Sequence, residues 1–253
     1  MRIVITRPTK KALYTQEKIK EMGCTPIMMP LSYFTYDRQS VFLALQEPYG
    51  GIAITSSESL STLPVDFSRH SPLFVIGEAS SHLARQKGFS EIFHTQDNSI
   101  GLAKIIVEKK ELFTPQKPLI YLGGNPRSIH FENYLRQHDV PLKIIDCYCS
   151  WSIHYPEIAT KNILHNADFI LFYSRSAVSY FFHLPLPIKI SAHFLCLSKN
   201  IASAIPSTYM NIIAVARFPK ENSLLDLLSL KKENMQIKDN ILCEINKLSI
   251  KSS

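Results

Sequence analysis

The 253-residue chain has no apolar run near the roughly 18 residues needed to cross a bilayer, so no membrane-spanning helix is expected. No C-x-x-C pair occurs among its five cysteines, Cys24, Cys147, Cys149, Cys196 and Cys243, and its nine histidines show neither H-E-x-x-H nor any paired spacing. A metal site is therefore not expected. Cys147 and Cys149, two apart on an expected strand, would share one face, where a metal or an oxidant could meet them. With no further ligands around them they read as small buried residues. Glycine is scarce, eight in all, and G-x-G-x-x-G is missing, which argues against a dinucleotide loop. G-x-S-x-G and a recurring Cys–His spacing are missing as well, so no nucleophile constellation is expected, and Asp37, Asp168 and Asp226 read as caps or surface groups. Arg7, Pro8, Lys10 and Lys11 interrupt the apolar stretch at the N-terminus, which does not read as a signal peptide; the expectation is a cytoplasmic protein.

What the chain does have is an apolar fraction of 45%, enough for real cores in two ordinary domains. It also has an internal doubling. Phe169 to Phe172 fit a buried parallel strand, Ser174 to Ser176 offer N-cap chemistry, and Ala177, Val178, Phe181 and Phe182 have helical spacing. Gly51-Ile-Ala-Ile-Thr-Ser-Ser-Glu-Ser-Leu60 is an earlier version of the same strand, polar turn and helix. The match extends both ways at a slowly drifting offset: Arg2 to Arg7 with Pro118 to Gly124, Leu73 to Ser80 with His193 to Ser198, and Asn98 to Leu102 with Asn222 to Asp226. Strands alternating with helices over short connections predict parallel sheets covered by helices. Two extended stretches, Ile27 to Tyr36 and Lys143 to His154, are longer than one central strand needs and read as long strands crossing between domains. After Leu230, Ile237, Ile241, Ile245 and Leu248 have the spacing of an amphipathic helix, with disorder expected at the last residues.

The formal charge is +7, from 28 basic and 21 acidic residues, which points to an anionic partner. The basic residues form no tract and no stripe interleaved with aromatics, which weighs against nucleic acid. Polar turns at strand ends recur in both halves: Thr55-Ser56-Ser57, Ala79-Ser80-Ser81, Ser174-Arg175-Ser176 and Ser198-Lys199-Asn200. A hydroxyl at an N-cap beside unpaired N–H groups makes a neutral cradle for carboxylate or phosphate. Each serine alone is equally a plain helix cap. Four such turns on two domains suit a ligand with many acidic groups. Arg7 is expected at the carboxyl end of the first strand, where open α/β sheets bind ligands, and Gly123-Gly-Asn-Pro-Arg127 is expected to form a turn whose N–H groups approach an anion. Tyr148, on the second long stretch, reads from its neighbours alone as a packed ring.

Taken in order, Ile3-Val-Ile-Thr-Arg-Pro8, Ile54-Thr-Ser56, Val75-Ile-Gly-Glu-Ala-Ser80, Gly124-Asn-Pro-Arg127, Tyr148, Tyr173-Ser-Arg-Ser-Ala-Val178 and Cys196-Leu-Ser198 resemble the uroporphyrinogen-III synthase family, from Arg2 to about Leu230. The resemblance implies two similar α/β domains joined by a two-stranded ladder. The N-terminal segment packs with the C-terminal half, so that residues 1–33 and 150–230 form one domain, residues 34–149 the other, and residues 231–253 an extension. It implies a lyase that cyclises hydroxymethylbilane, a linear tetrapyrrole with eight carboxylates, with loss of water and inversion of the last pyrrole ring. No cofactor, membrane or nucleic acid is implied; the enzyme is expected to be a monomer touching the preceding pathway enzyme only transiently. Tyr148 matches the tyrosine that assists departure of the hydroxyl. Ser56, Ser80, Gly124, Ser174 and Ser198 match turns facing the substrate, with Arg7, Arg127, Arg175, Ser176 and Asn200 beside them. Glu58 and Ser198-Lys-Asn-Ile201 depart from the family pattern. A basic nucleic-acid-binding module and a phosphate-ligand-binding two-domain protein are the alternatives on the residues alone.

Overall fold

A computed structural model describes residues 1–65, 67 and 69–230; Cys243 and the expected helix beyond Leu230 lie outside the described residues. The chain runs β1 (Arg2–Ile5), α1 (Thr9–Glu21), β2 (Thr25–Met28), β3 (Ser32–Tyr36), α2 (Arg38–Ala44), β4 (Gly51–Ile54), a 3-10 turn (Ser57–Ser61), β5 (Leu73–Ile76), α3 (Glu78–Gln86), β6 (Ile92–Thr95), α4 (Ser99–Val107), β7 (Leu119–Asn125), α5 (His130–Gln137) and β8 (Leu142–Ser152). It continues through α6 (Glu157–Leu164), β9 (Phe169–Phe172), α7 (Arg175–Phe182), β10 (His193–Cys196), α8 (Lys199–Ala202) and β11 (Ile213–Val215), and residues 221–230 are again helical. Among the described residues no helix is long and apolar enough to cross a membrane.

Two compact units result, Met1–Tyr33 with the described part of Ser152–Ser253, and Phe34–Trp151. The chain passes from one to the other within β3 and within β8, which are hydrogen-bonded neighbours. The first unit holds the sheet β11-β10-β9-β1-β2, parallel throughout, and the second the sheet β3-β8-β7-β4-β5-β6, parallel from β8 to β6. Read as β2-β1-β9-β10-β11 and β8-β7-β4-β5-β6, the two have one topology, the structural form of the sequence doubling. As expected, β1 lies beside β9, with Ile3 opposite Phe169 and Ile5 opposite Leu171.

Each central strand is apolar on both faces because each sheet face carries helices. In β1, Val4 joins Phe172, Phe181 and Phe194 in one core, while Ile3 and Ile5 join Ile19, Leu224 and Leu228 in the other. Phe172 meets Phe181 edge-on at 5.4 Å and Phe194 at 5.7 Å between ring centroids. Burying each ring contributes about 1.5–3 kcal/mol. In β4, Ile52 and Ile54 face one core and Ala53 the other, by the same alternation.

One expectation needs correction. Ile27 to Tyr36 is not a single long strand: β2 ends at Met28 and β3 begins at Ser32. Met29 and Leu31 still donate their N–H groups to Ile5 and Thr6 carbonyls, but Pro30 between them has no N–H to give. Only β8, eleven residues long, is an uninterrupted crossing strand.

Candidate active site

In the second unit, β4 leads to β5 on one side and β7 leads to β8 on the other, so the strand order reverses between β4 and β7. Crevices at the carboxyl ends of parallel strands at such a switch point are where ligands of open α/β sheets bind. Ser56 follows β4 there, and Gly124 stands near the end of β7. The Gly123–Gly124 pair therefore belongs to a strand and is not the anion-binding turn expected; α5 begins only at His130, and its cap position, Ile129, contributes no side-chain bond.

Gly124 is where it is because Tyr148 covers it. The two are register partners, and a Cβ added to Gly124 would lie 2.5 Å from Tyr148 Cε2 and closer still to Cζ and the hydroxyl oxygen. The pairing steps from Gly123 opposite Asp146 to Gly124 opposite Tyr148, so Cys147 is the extra residue of a β-bulge. Strict alternation would point Cys147 and Tyr148 to opposite faces. The bulge instead lets both pack against one core with Ile54 and Leu60. It also puts Cys149 out of phase with Cys147, so the shared-face expectation for the two thiols does not hold. Cys147 is fully buried, donates its Sγ proton to the Gly123 carbonyl at 3.3 Å, and has its thiol pKa pushed up by that burial.

Burial also raises the Tyr148 phenol, with Cys147 and Glu58 adding to the rise and a hydrogen bond with Ser56 opposing it. The hydroxyl therefore keeps its proton at neutral pH. Phe34 packs edge-on against the ring at 5.5 Å. Ser56 occupies the N-cap of the 3-10 turn and accepts the Glu58 N–H at 3.3 Å. Around them stand two groups that the sequence did not bring forward: Tyr36, whose hydroxyl donates to Glu58 Oε2 at 2.9 Å, and Tyr121, whose hydroxyl lies 2.9 Å from that of Thr55 in the Ser56 turn. The run Tyr33-Phe-Thr-Tyr36 was the available signal, an aromatic-rich strand beside a polar turn. Arg127 is held by Glu132 at 2.5 Å and by Asp146, with the Gly124 carbonyl at 3.3 Å. Ser80 is not a cap: it lies inside α3, buried, after a cap position filled by Gly77 at φ 83°, where a Cβ would be strained.

In the first unit the order reverses between β1 and β9, and Arg7 and Ser174 flank that switch point. Ser174 caps α7 by accepting the Ala177 N–H at 3.1 Å, and its hydroxyl lies 3.1 Å from that of Ser176. Arg175 reaches to the next turn, donating to the Asn200 carbonyl at 2.7 Å, to its Oδ1 at 3.2 Å and to Ser203 Oγ at 3.0 Å. The Ser174 and Ser198 turns are thus tied side by side; Ser198 itself makes no cap bond with its side chain. Arg7 is turned inward. It pairs with Glu221 at 2.6 Å, donates to Thr15 at 2.9 Å and stacks 4.2 Å over the Tyr173 ring, so its charge is balanced within the unit.

Hydroxyl-bearing turns and a half-buried phenol stand at the carboxyl ends of parallel strands on a duplicated topology, which makes this an α/β protein of two similar parallel sheets. The family model described as uroporphyrinogen-III synthase HemD matches residues 14–226, and the chain belongs to that family. Its fold is similar to that of uroporphyrinogen-III synthetase from Helicobacter pylori 26695, at 17% identity and a TM-score of 0.61, covering 91% of this chain and 100% of that one. It is similar also to a mutant uroporphyrinogen III synthase from the extremely thermophilic bacterium Thermus thermophilus, at 13% identity and a TM-score of 0.59, covering 93% of this chain and 99% of that one. Comparison with curated proteins gives no match.

Proposed function

We propose that the protein is a cofactor-free lyase that closes hydroxymethylbilane to uroporphyrinogen III, working in the cytoplasm as a monomer and meeting the preceding pathway enzyme only transiently. The hydroxyl of the substrate leaves as water, with a proton delivered to it, and an azafulvene remains. The substituted carbon of the terminal ring attacks that centre to give a spiro intermediate; the older bridging bond at that carbon then breaks, and the methylene so freed bonds to the ring's unsubstituted carbon, which loses its proton, leaving the ring inverted. The substrate is already labile, so the enzyme acts mainly by holding the chain ends in the geometry that favours inverted closure.

The observation that carries this reading is Tyr148, a half-buried phenol whose pKa is raised by that burial and whose ring is laid over Gly124 beside a switch point of the sheet. A protonated phenol can give the departing hydroxyl its hydrogen bond or its proton. The turns at Ser56, Ser174 with Ser176, and Ser198 with Asn200 take substrate carboxylates through hydroxyl and backbone N–H groups, and Arg175 completes the last two. Ser80 and Gly124 contribute backbone at the same strand ends, while Arg7 and Arg127 act as charges held in place by Glu221, Glu132 and Asp146. The test is incubation with enzymatically generated hydroxymethylbilane, oxidation to porphyrins and separation of the isomers. The inverted type III isomer is the expected product; formation of the uninverted isomer alone, at the rate seen without protein, overturns the proposal.

A further inference from the structure

We infer that Arg127 is a positioning residue for Tyr148: with Asp146 and Glu132 it clasps the β-bulge that turns the Tyr148 ring onto Gly124. The inference deepens the proposed function and rests on the reading of Tyr148 as donor to the leaving hydroxyl.

The clasp lies wholly within Phe34–Trp151. Gly123 and Gly124 follow each other on β7 and so face opposite sides of the sheet, and one side chain covers each. A Cβ on Gly124 would run into the Tyr148 ring, whereas a Cβ on Gly123 would lie 3.0 Å from Arg127 Cδ, 3.2 Å from Arg127 Nε and 3.2 Å from Tyr121 Cε1. The two faces have separate cores, Tyr148 packing with Ile54 and Leu60, Tyr121 with Ala53 and Phe131. Asp146 is the register partner of Gly123 and turns its carboxylate to the Arg127 face. Without the extra residue Cys147, alternation would bring Tyr148 back to that face too. Arg127 therefore fills the side from which the Tyr148 ring is kept.

Its hydrogen bonds hold both strands at this point. Nη1 donates to the Gly124 carbonyl on β7 at 3.3 Å and to the Asp146 carboxylate on β8. One guanidinium thus joins the residue just before the bulge to the residue opposite Tyr148, and Cys147 Sγ closes the middle by donating to the Gly123 carbonyl at 3.3 Å. Glu132, on α5 and 5% exposed, fixes the guanidinium from its other edge through Nε at 2.5 Å and accepts from Arg136 at 3.4 Å. A lysine offers one nitrogen in place of this planar fork, so it cannot hold Glu132 along one edge while reaching Gly124 and Asp146 along another. Arg127 supplies position as well as charge, and Arg127→Lys separates the two.

The experiment pairs steady-state turnover of hydroxymethylbilane with the rate at which iodoacetamide labels Cys147, read by peptide mass spectrometry, and near-UV circular dichroism checks folding. The Asp146 side chain is 49% exposed, so Asp146→Ala is expected to fold even where a change at Arg127 does not. Asp146→Ala and Arg127→Lys each lower kcat on the order of 10-fold, less than the ~10²-fold that a 1 Å misplacement can cause, and leave KM unchanged or reduced. Both speed labelling of Cys147, since a loosened bulge opens a thiol that is fully buried in the native protein. Asp146→Asn, which keeps an acceptor oxygen for Nη1, recovers most of the kcat lost in Asp146→Ala. In the Tyr148→Phe background, Asp146→Ala causes no further loss. Labelling of Cys147 at the wild-type rate, losses that multiply across the cycle, or losses that fall on KM alone overturn the inference while leaving Tyr148 its role. Wild-type turnover by Tyr148→Phe overturns the assignment of Tyr148 and the positioning role with it, and faster labelling of Cys147 in Asp146→Ala then tells that failure apart from a failure of the clasp.

Discussion

A Cβ on Gly124 and the ring of Tyr148 cannot occupy the same space, and this exclusion is the most stringent constraint at the site. Gly124→Ala is expected to displace the ring, to cost about 1–3 kcal/mol of stability as overpacking does, and to slow turnover at least as much as removing the hydroxyl. Thermal melts and turnover measured on the same preparation check both parts. The glycine pair was legible in the sequence, but it read as a turn, because a pair of small residues before Asn-Pro carries no sign of what lies across the strand. The bulge at Cys147 was not legible at all. Period-two alternation is the only rule a sequence offers for side-chain direction in a strand, and one extra residue inverts it from Tyr148 onward. Tyrosine burial has a consequence for pH. Tyr36 is pushed up to about 12 by burial and then by its bond to Glu58, and Tyr148 and Tyr121 are raised chiefly by burial. A raised folded-state value means that the native protein holds these protons after the unfolded chain has released them, so stability is complete below pH 10 and falls above it. Melting temperature is expected to decline between about pH 10 and 12 and to decline less in Tyr36→Phe; an equal decline in both would remove Tyr36 from the effect.

At the scale of elements, serine turns are the part of the site that the sequence conveyed best, since an N-cap is a local event decided by a hydroxyl and the next few N–H groups. Ser56 and Ser174 fill their caps, whereas Ser80 fell inside α3 because Gly77 already supplied the helix start, which the Gly-Glu-Ala-Ser string left open. Ser174→Ala removes one bond to Ala177 but leaves the backbone N–H groups of the turn in place. A loss of about 0.5–1.5 kcal/mol in substrate handling is expected, seen as a modest rise in KM. Abolished turnover in a folded variant would contradict a cradle shared with the backbone. The parallel of Asn98 with Asn222 also separates here: Asn98 caps α4 with bonds to the Ile100 and Gly101 N–H groups, while Asn222 accepts from Lys18 instead. Similar strings served different ends, because residues 221–230 begin their helix against α1 at the Arg7–Glu221 pair.

Across the whole molecule, the doubling was legible because strand-turn-helix strings repeat in order, whereas the placement of β1 beside β9 was implied by the family resemblance together with the two long extended stretches. Charge was legible only as a total. Of the basic residues named at the strand ends, Arg7 and Arg127 are balanced by carboxylates, so attraction of a polyanion rests on the remaining surface charge. The KM for hydroxymethylbilane is expected to rise with salt as the screening length shrinks from about 10 Å at 0.1 M, with the isomer ratio unchanged. A KM indifferent to salt would assign binding to the neutral turns alone. The central claim is that one phenol assists departure of the hydroxyl while the rest of the protein chooses the isomer, and folded Tyr148→Phe tests it most directly when turnover and isomer ratio are measured together. The account predicts a wild-type circular dichroism spectrum, turnover lower by roughly 10²–10⁴-fold, the range of one general acid, and an unchanged excess of the inverted isomer. Wild-type turnover, which would leave Tyr148 a packed ring, or a shift toward the uninverted isomer, which would make it a holder of the terminal pyrrole, would contradict it.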